Sequence, residues 1–326
     1  MCTKHTMIST DHKRLDRIRG MIIGLALGDS LGLPMEFNRG QTYTGKLFDF
    51  EYKTRFGHKI FVTAGTVSDD TEMSLALARS LINNKGYKED SVISEYLKWA
   101  NSGIRYMGRN TRQLFKGIKT ISTYQKRLSQ ATSGPASTWT QSNGSLMRCS
   151  SLAVLNRGTE VAVSDSKITN PSNINVEVNF LYVSMLTQAM QGKSRSEIFE
   201  WLTKNIQSGE IKNVIEHVKN AKIFPGLIGK NKGWVLSAFY CAVLTLVNFD
   251  NFSTAMDYII SIPNSDTDTN AAISGALLGC LLGFDQMMKE TDTKFNIETI
   301  INCKNNRPEI YRLNDFYQFT EQLSKL

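Results

Sequence analysis

The sequence predicts an all-α fold, a single compact domain of many helices, and three observations carry that reading. Apolar residues recur at helical spacing along most of the 326 residues. Alternating strand patterns are rare and short. Six prolines leave few natural linkers, and a chain this long can bury one substantial core. Residues 1–15 are polar and basic and read as a mobile tail, ahead of one domain over 16–326.

Along the chain, Ile18, Met21, Ile22, Leu25 and Ala26 form a helical stripe. In the same helix Gly20, Gly24 and Gly28 recur every four residues, a spacing that lets another helix approach closely. Met73, Leu75, Ala76, Leu77, Ala78, Leu81 and Ile82 make a second apolar helix. Further helices are expected over 89–100, 176–191, 195–206, 210–223, 233–248, 253–262 and 269–284, with a closing amphipathic helix over 313–326. The best strand candidates are 59–63 and 160–164, and residues 103–145 read as a long, partly helical excursion.

Composition narrows the class. Hydrophobic content of 41% and charged content of 21% are near the globular average. The five cysteines are scattered and the four histidines lack ligand spacing, so neither a disulfide framework nor a zinc site is expected. A reducing, cytoplasmic setting fits that usage. The first residues lack the apolar core of a secretory signal, and 233–249 falls short of a membrane span, so no membrane partner is expected. Net charge is +8, and from Tyr96 to Thr159 there is no Asp or Glu among ten basic residues. That run reads as a solvated surface or as a wall facing an anionic ligand, either pyrophosphate or nucleic acid.

Two acidic turns carry the chemistry. In the first, Ser68 is a good N-cap, and Asp69 and Asp70 fall in the first turn of the helix that follows. In the second, Asp266, Asp268 and Thr269 precede the run AAISGALLGCLLGF. Acids at a helix start stabilise it, so each segment alone is explained by capping. Together they would place four carboxylates that repel unless cations neutralise them. Oxygen-only ligands without His or Cys select Mg²⁺, Mn²⁺ or Ca²⁺ over zinc, and an EF-hand is excluded because its glycine and distal glutamate are missing. Between the turns, Asn143, Gly144, Ser145 and Leu146 form a tight turn whose amides suit phosphate. Glu36 ends the first helix among apolar neighbours, a place for an acid or base.

These segments, in order, resemble the ADP-ribosylglycohydrolase family: GMIIGLALGDSLGLPMEF, GTVSDDTEMSLALARSL, SNGSLMR and SDTDTNAAISGALLGCLLG. The resemblance runs from about Arg17 to the C-terminus. It implies a compact all-α fold with a centre of two Mg²⁺ or Mn²⁺ ions, and cleavage at the distal ribose C1″ of ADP-ribosylated substrates. Ser68, Asp69 and Asp70 match one metal motif, and Asp266, Asp268 and Thr269 match the other. Glu36 matches the glutamate near the scissile bond, making Glu36, Asp69 and Asp268 the catalytic candidates. Asn143, Gly144, Ser145 and Leu146 match the phosphate-holding loop, and Asn170 stands where many members place a histidine lining the nucleotide pocket.

Three departures bear on substrate. The turn before Asp266 reads Asn264-Ser265 rather than glycines, and Thr169-Asn170-Pro171 replaces the usual histidine before proline. Where arginine-processing relatives place an aspartate, this chain has Tyr106 and Met107 in an acid-free span. A guanidinium leaving group wants a carboxylate partner, so an arginine linkage is disfavoured. The expected partner is an ADP-ribosylated protein or other ADP-ribose conjugate, acted on by a monomer. The alternatives are an inactive module that binds ADP-ribose, and a nucleic-acid binder using the basic span, for which no recognition motif is present.

Overall fold

In the computed structural model, the described residues are 2–37, 42–54, 57–136 and 139–326, with side chains from residue 11. The first part contains α1 (Cys2–Phe37), β1 (Phe50–Lys53), β2 (Lys59–Val62), α2 (Asp69–Asn84), α3 (Glu89–Ala100), α4 (Arg109–Phe115) and α5 (Ile121–Ala131). The middle contains α6 (Gly158–Lys167), α7 (Asn173–Met190), α8 (Arg195–Asn205), α9 (Gly209–Lys219) and α10 (Val235–Asn248). The chain closes through α11 (Phe252–Ile260), α12 (Thr267–Leu282), α13 (Phe284–Met287), α14 (Thr291–Ile301) and α15 (Phe316–Leu323). The two strands pair antiparallel as one hairpin, Phe50 opposite Val62. The fold is all-α, as its periodicity predicts.

At the centre α1 and α12 lie in backbone contact. A Cβ added at Gly20, Gly24 or Gly28 would sit 2.1, 2.2 and 2.1 Å from the carbonyl oxygens of Gly279, Gly275 and Ala271. Glycine at every fourth position is therefore a packing requirement, and Gly32 continues it, its added Cβ falling 2.6 Å from Asp268 Cα. This places the C-terminal half of α1 against the N-terminus of α12. α1 is long and apolar enough to cross a membrane, yet 89% of its most apolar window is buried inside the domain. Its apolar surface is already covered by protein.

α1 runs through residue 15 without a break, and Arg14 donates to the carbonyls of Ser324 and Val154. One expectation is corrected. The expected strand at 160–164 is the middle of α6. Its buried positions, Gly158, Ala162 and the pair Asp165 and Ser166, recur every three to four residues, while Val161 and Val163, which suggested alternation, are half-buried. The excursion over 103–145 contains α4 and α5.

Candidate active site

Two helix starts meet in one cleft of about 1030 Å³. α2 begins at Asp69 with Ser68 as N-cap, its hydroxyl accepting from Asp70 N at 3.3 Å and donating to Asp70 Oδ2 at 2.8 Å. α12 begins at Thr267 with Asp266 at its N-cap position. Asp69, Asp70, Asp266, Asp268 and Thr269 all line the cleft, joined by Glu36 from the end of α1. Carboxylate oxygens of Glu36, Asp266 and Asp268 lie within 4.8 Å of one another, close enough to share one cation.

Burial charges this cluster with unfavourable energy. The Asp70 and Asp268 carboxyls are pushed well above the ordinary range, first by desolvation and then by neighbouring carboxylates. Asp29 and Asp69 act on Asp70, and Asp266, Asp70 and Glu36 act on Asp268. Asp69 is raised by burial despite the Gly108 amide, which donates to its Oδ2 at 2.9 Å. Asp70 Oδ1 is buried without a hydrogen-bond partner among the described residues. Orphan carboxylate oxygens in an all-oxygen donor set fit a hard divalent cation.

Glu36 is held from the other side. Lys232 Nζ lies 2.5 Å from each of its carboxylate oxygens and 3.4 Å from Ser265 O. An ammonium on both oxygens fixes the orientation of the carboxyl, which suits orienting a water in the cleft.

The phosphate-loop candidates separate into two groups. Asn143 and Gly144 line the cleft, and Asn143 Nδ2 donates to Asp266 Oδ2 at 2.8 Å. Ser145 and Leu146 are fully buried beneath them, and Ser145 Oγ accepts from Asn179 at 2.9 Å. Asn170 is also fully buried, donating to Ser142 O and Oγ at 3.1 and 3.0 Å, so it supports the loop from behind. Among the described residues the cleft wall includes none of Ser68, Ser145, Leu146 and Asn170. Tyr106 and Met107 do face the cleft.

The basic run divides as well. Arg105, Arg109 and Arg112 line the cleft, together with Lys230. Arg148 is wholly internal: it donates to Asp165 Oδ2 at 3.1 Å, to Gly144 O at 2.9 Å and to Thr169 Oγ1 at 2.6 Å, and stacks over Tyr96. It anchors the loop of Asn143 and Gly144 and takes no part in any surface.

Sequence reasoning missed Asp29, Lys232 and the Arg148–Asp165 pair. Asp29 had a signal: one carboxylate inside an apolar helix must find buried partners. Its Oδ2 accepts from Ser68 N at 2.9 Å, Thr71 N at 3.1 Å and Thr71 Oγ1 at 2.5 Å. Lys232 had none, because only the fold brings it to Glu36.

An all-helical domain that gathers buried carboxylates from two helix starts, beside a basic wall, suits a hard cation and an anionic ligand held side by side. Residues 10–313 match the ADP-ribosylglycohydrolase family, and the chain belongs to it. It is accordingly a hydrolase acting on glycosyl bonds. Protein L543 of Acanthamoeba polyphaga mimivirus, provisionally named an ADP-ribosyl glycohydrolase, is 27% identical over 88% of this chain and 92% of its own length. The ADP-ribosylarginine hydrolase Tri1 of Pseudomonas putida (strain GB-1) is 24% identical over 86% of this chain and 74% of its own. The ADP-ribosyl-[dinitrogen reductase] glycohydrolase of Rhodospirillum rubrum is 24% identical over 83% and 87%. A solved structure titled ADP-ribosylglycohydrolase-related protein complex shares the fold, with TM-score 0.68 and 18% identity over 96% of this chain and 99% of that one.

Proposed function

We propose that this protein releases ADP-ribose by cleaving the glycosidic bond at the distal ribose C1″ of ADP-ribosylated proteins, with two Mg²⁺ or Mn²⁺ ions in the acidic cleft. The single observation carrying the metal part is the convergence of Glu36, Asp266 and Asp268 oxygens beside the orphaned Asp70 Oδ1. Asp69, Asp70, Asp266 and Asp268 would hold the ions, with Thr269 beside them and Ser68 fixing Asp70. Bound there, such ions orient sugar hydroxyls and lower the pKa of a water.

The chain's own groups supply the rest. Glycosidic cleavage passes through an oxocarbenium-like state, so the ribose must be held while water is delivered to one face. Glu36, fixed by Lys232, is positioned to orient that water or take its proton. Asn143 and Gly144, braced from beneath by Arg148, present the turn to the pyrophosphate, and Arg105, Arg109, Arg112 and Lys230 supply positive charge along the wall.

The relatives named for arginine and dinitrogen reductase support an ADP-ribosylated protein as substrate. Against a guanidinium leaving group stands the wall itself: Arg105, Tyr106, Met107 and Arg109 add no carboxylate to receive it. The four described cysteines are buried and unpaired, which fits a cytoplasmic, reducing setting.

A panel of arginine-, serine- and nucleic-acid-linked ADP-ribose, assayed with and without chelator, tests these statements. Release that a chelator stops and Mg²⁺ or Mn²⁺ restores is expected. Tight binding without release would mean an inactive binding module, and strong arginine preference would refute the leaving-group assignment.

A further inference from the structure

We infer that Asp29 is a positioning residue, which fixes the first acidic turn against the second and so sets the spacing of the metal-holding carboxylates. The inference rests on the metal reading above.

Asp29 lies on α1 between Gly28 and Gly32, the two glycines whose backbone touches Ala271 and Asp268 of α12. An added Cβ at either would come within 2.1 or 2.6 Å of that helix, so the backbone around Asp29 has a fixed place relative to the second turn. Its side chain reaches the first turn instead. One oxygen, Oδ2, accepts from the amides of Ser68 and Thr71 and from the Thr71 hydroxyl. Thr71 N is one of the amides that a helix start leaves without an internal partner, so Asp29 caps α2 from outside while Ser68 caps it from within.

Asp29 is thus tied by backbone to the turn of Asp266 and Asp268, and by side chain to the turn of Asp69 and Asp70. It is fully buried, and its second oxygen has no hydrogen-bond partner among the described residues. A carboxylate kept so deep serves an arrangement completed by positive charge. Partners of this kind, behind the ligands, typically change metal affinity or activity by about 10–100-fold.

The experiment is calorimetric titration of Mn²⁺ into the full chain and into Asp29→Ala, Thr71→Val and Thr71→Ser, with apo melting curves and kcat and KM alongside. Thr71→Val removes one donor to Oδ2 at nearly constant volume, and Thr71→Ser keeps it. The expected result is Mn²⁺ binding weakened about tenfold or more in Asp29→Ala and Thr71→Val, near wild-type binding in Thr71→Ser, and a fall in kcat at little-changed KM. Wild-type Mn²⁺ affinity in Thr71→Val overturns the inference. Thr71→Ser as defective as Thr71→Val, with a matching loss of apo melting temperature, also overturns it by showing a folding role alone. If the wild-type chain binds no Mn²⁺, the metal reading fails and the inference falls with it; if it binds and the variants match it, only the inference falls.

Discussion

Lys232 Nζ meets both carboxylate oxygens of Glu36 at 2.5 Å, joining the segment before α10 to the end of α1 across 196 residues. The pair is only partly exposed, at 27% and 20% for the two side chains, so it is less screened than a surface bridge. Lys232→Met is expected to leave Glu36 mispositioned and to lower kcat by up to about 100-fold. Glu36→Gln, which removes the proton acceptor, should cost about 100-fold or more. Steady-state release of ADP-ribose measures both; equal and unchanged rates would remove Glu36 from the chemistry.

Asp268 is buried, and its Oδ1 accepts from the amide of Thr269 at 2.9 Å. Asp268→Asn keeps that acceptor and changes the charge. Turnover should fall by more than the about 10–100-fold typical of losing an outer partner, while circular dichroism shows the same helix content. Retained activity would take the acidic cluster out of the mechanism.

The acidic cluster also makes stability depend on pH and metal together. Burial raises Asp29 to about 6, and Asp70 and Asp268 are raised well above the ordinary value. The metal-free folded chain therefore keeps protons that the unfolded chain releases near pH 4, so stability falls as pH rises from about 4, up to about 6 on account of Asp29 and further on account of Asp70 and Asp268. A bound cation replaces those protons. Mn²⁺ should raise the melting temperature more at about pH 8 than at about pH 5, as read by scanning fluorimetry. A shift independent of pH would contradict this.

Arg148 and Asp165 are both fully buried, and Arg148 also holds Gly144 O. Removing one partner leaves an uncompensated internal charge. Arg148→Ala is expected to lose about 3–5 kcal/mol in urea denaturation, whereas a conserved midpoint would show the pair to be dispensable.

Gly28 meets α12 at backbone distance. Gly28→Ala should force α1 and α12 apart, lowering stability by about 1–3 kcal/mol in the same denaturation assay and weakening Mn²⁺ binding with it. Unchanged stability would mean that the two helices can move apart freely.

Much of this was legible in the sequence. The helices over 89–100, 195–206 and 233–248 are found within a residue or two, because each carries an apolar stripe of helical period. The four-residue glycine spacing forecast a close helix partner, and Ser68 caps α2 as its residue type demands. The strand expected at 160–164 failed because valines at alternate positions suit either element, and the inward demand of Asp165 for Arg148 decided for helix. Ser145 and Leu146 belong to the loop motif but lie behind the cleft wall, because the turn at Asn143 exposes only its tip, and Asn170 lies behind it too, donating to Ser142.

By itself the sequence determined the helical class, the two acidic helix starts and the family pattern, since period, capping and motif order are local properties of the chain. Only the tertiary structure decided that Asp29 grips the α2 turn, that Lys232 faces Glu36, and that Arg148 is internal while Arg105, Arg109 and Arg112 face the cleft. Those facts depend on pairings across tens to hundreds of residues, which packing selects by burying each charge only where a partner waits.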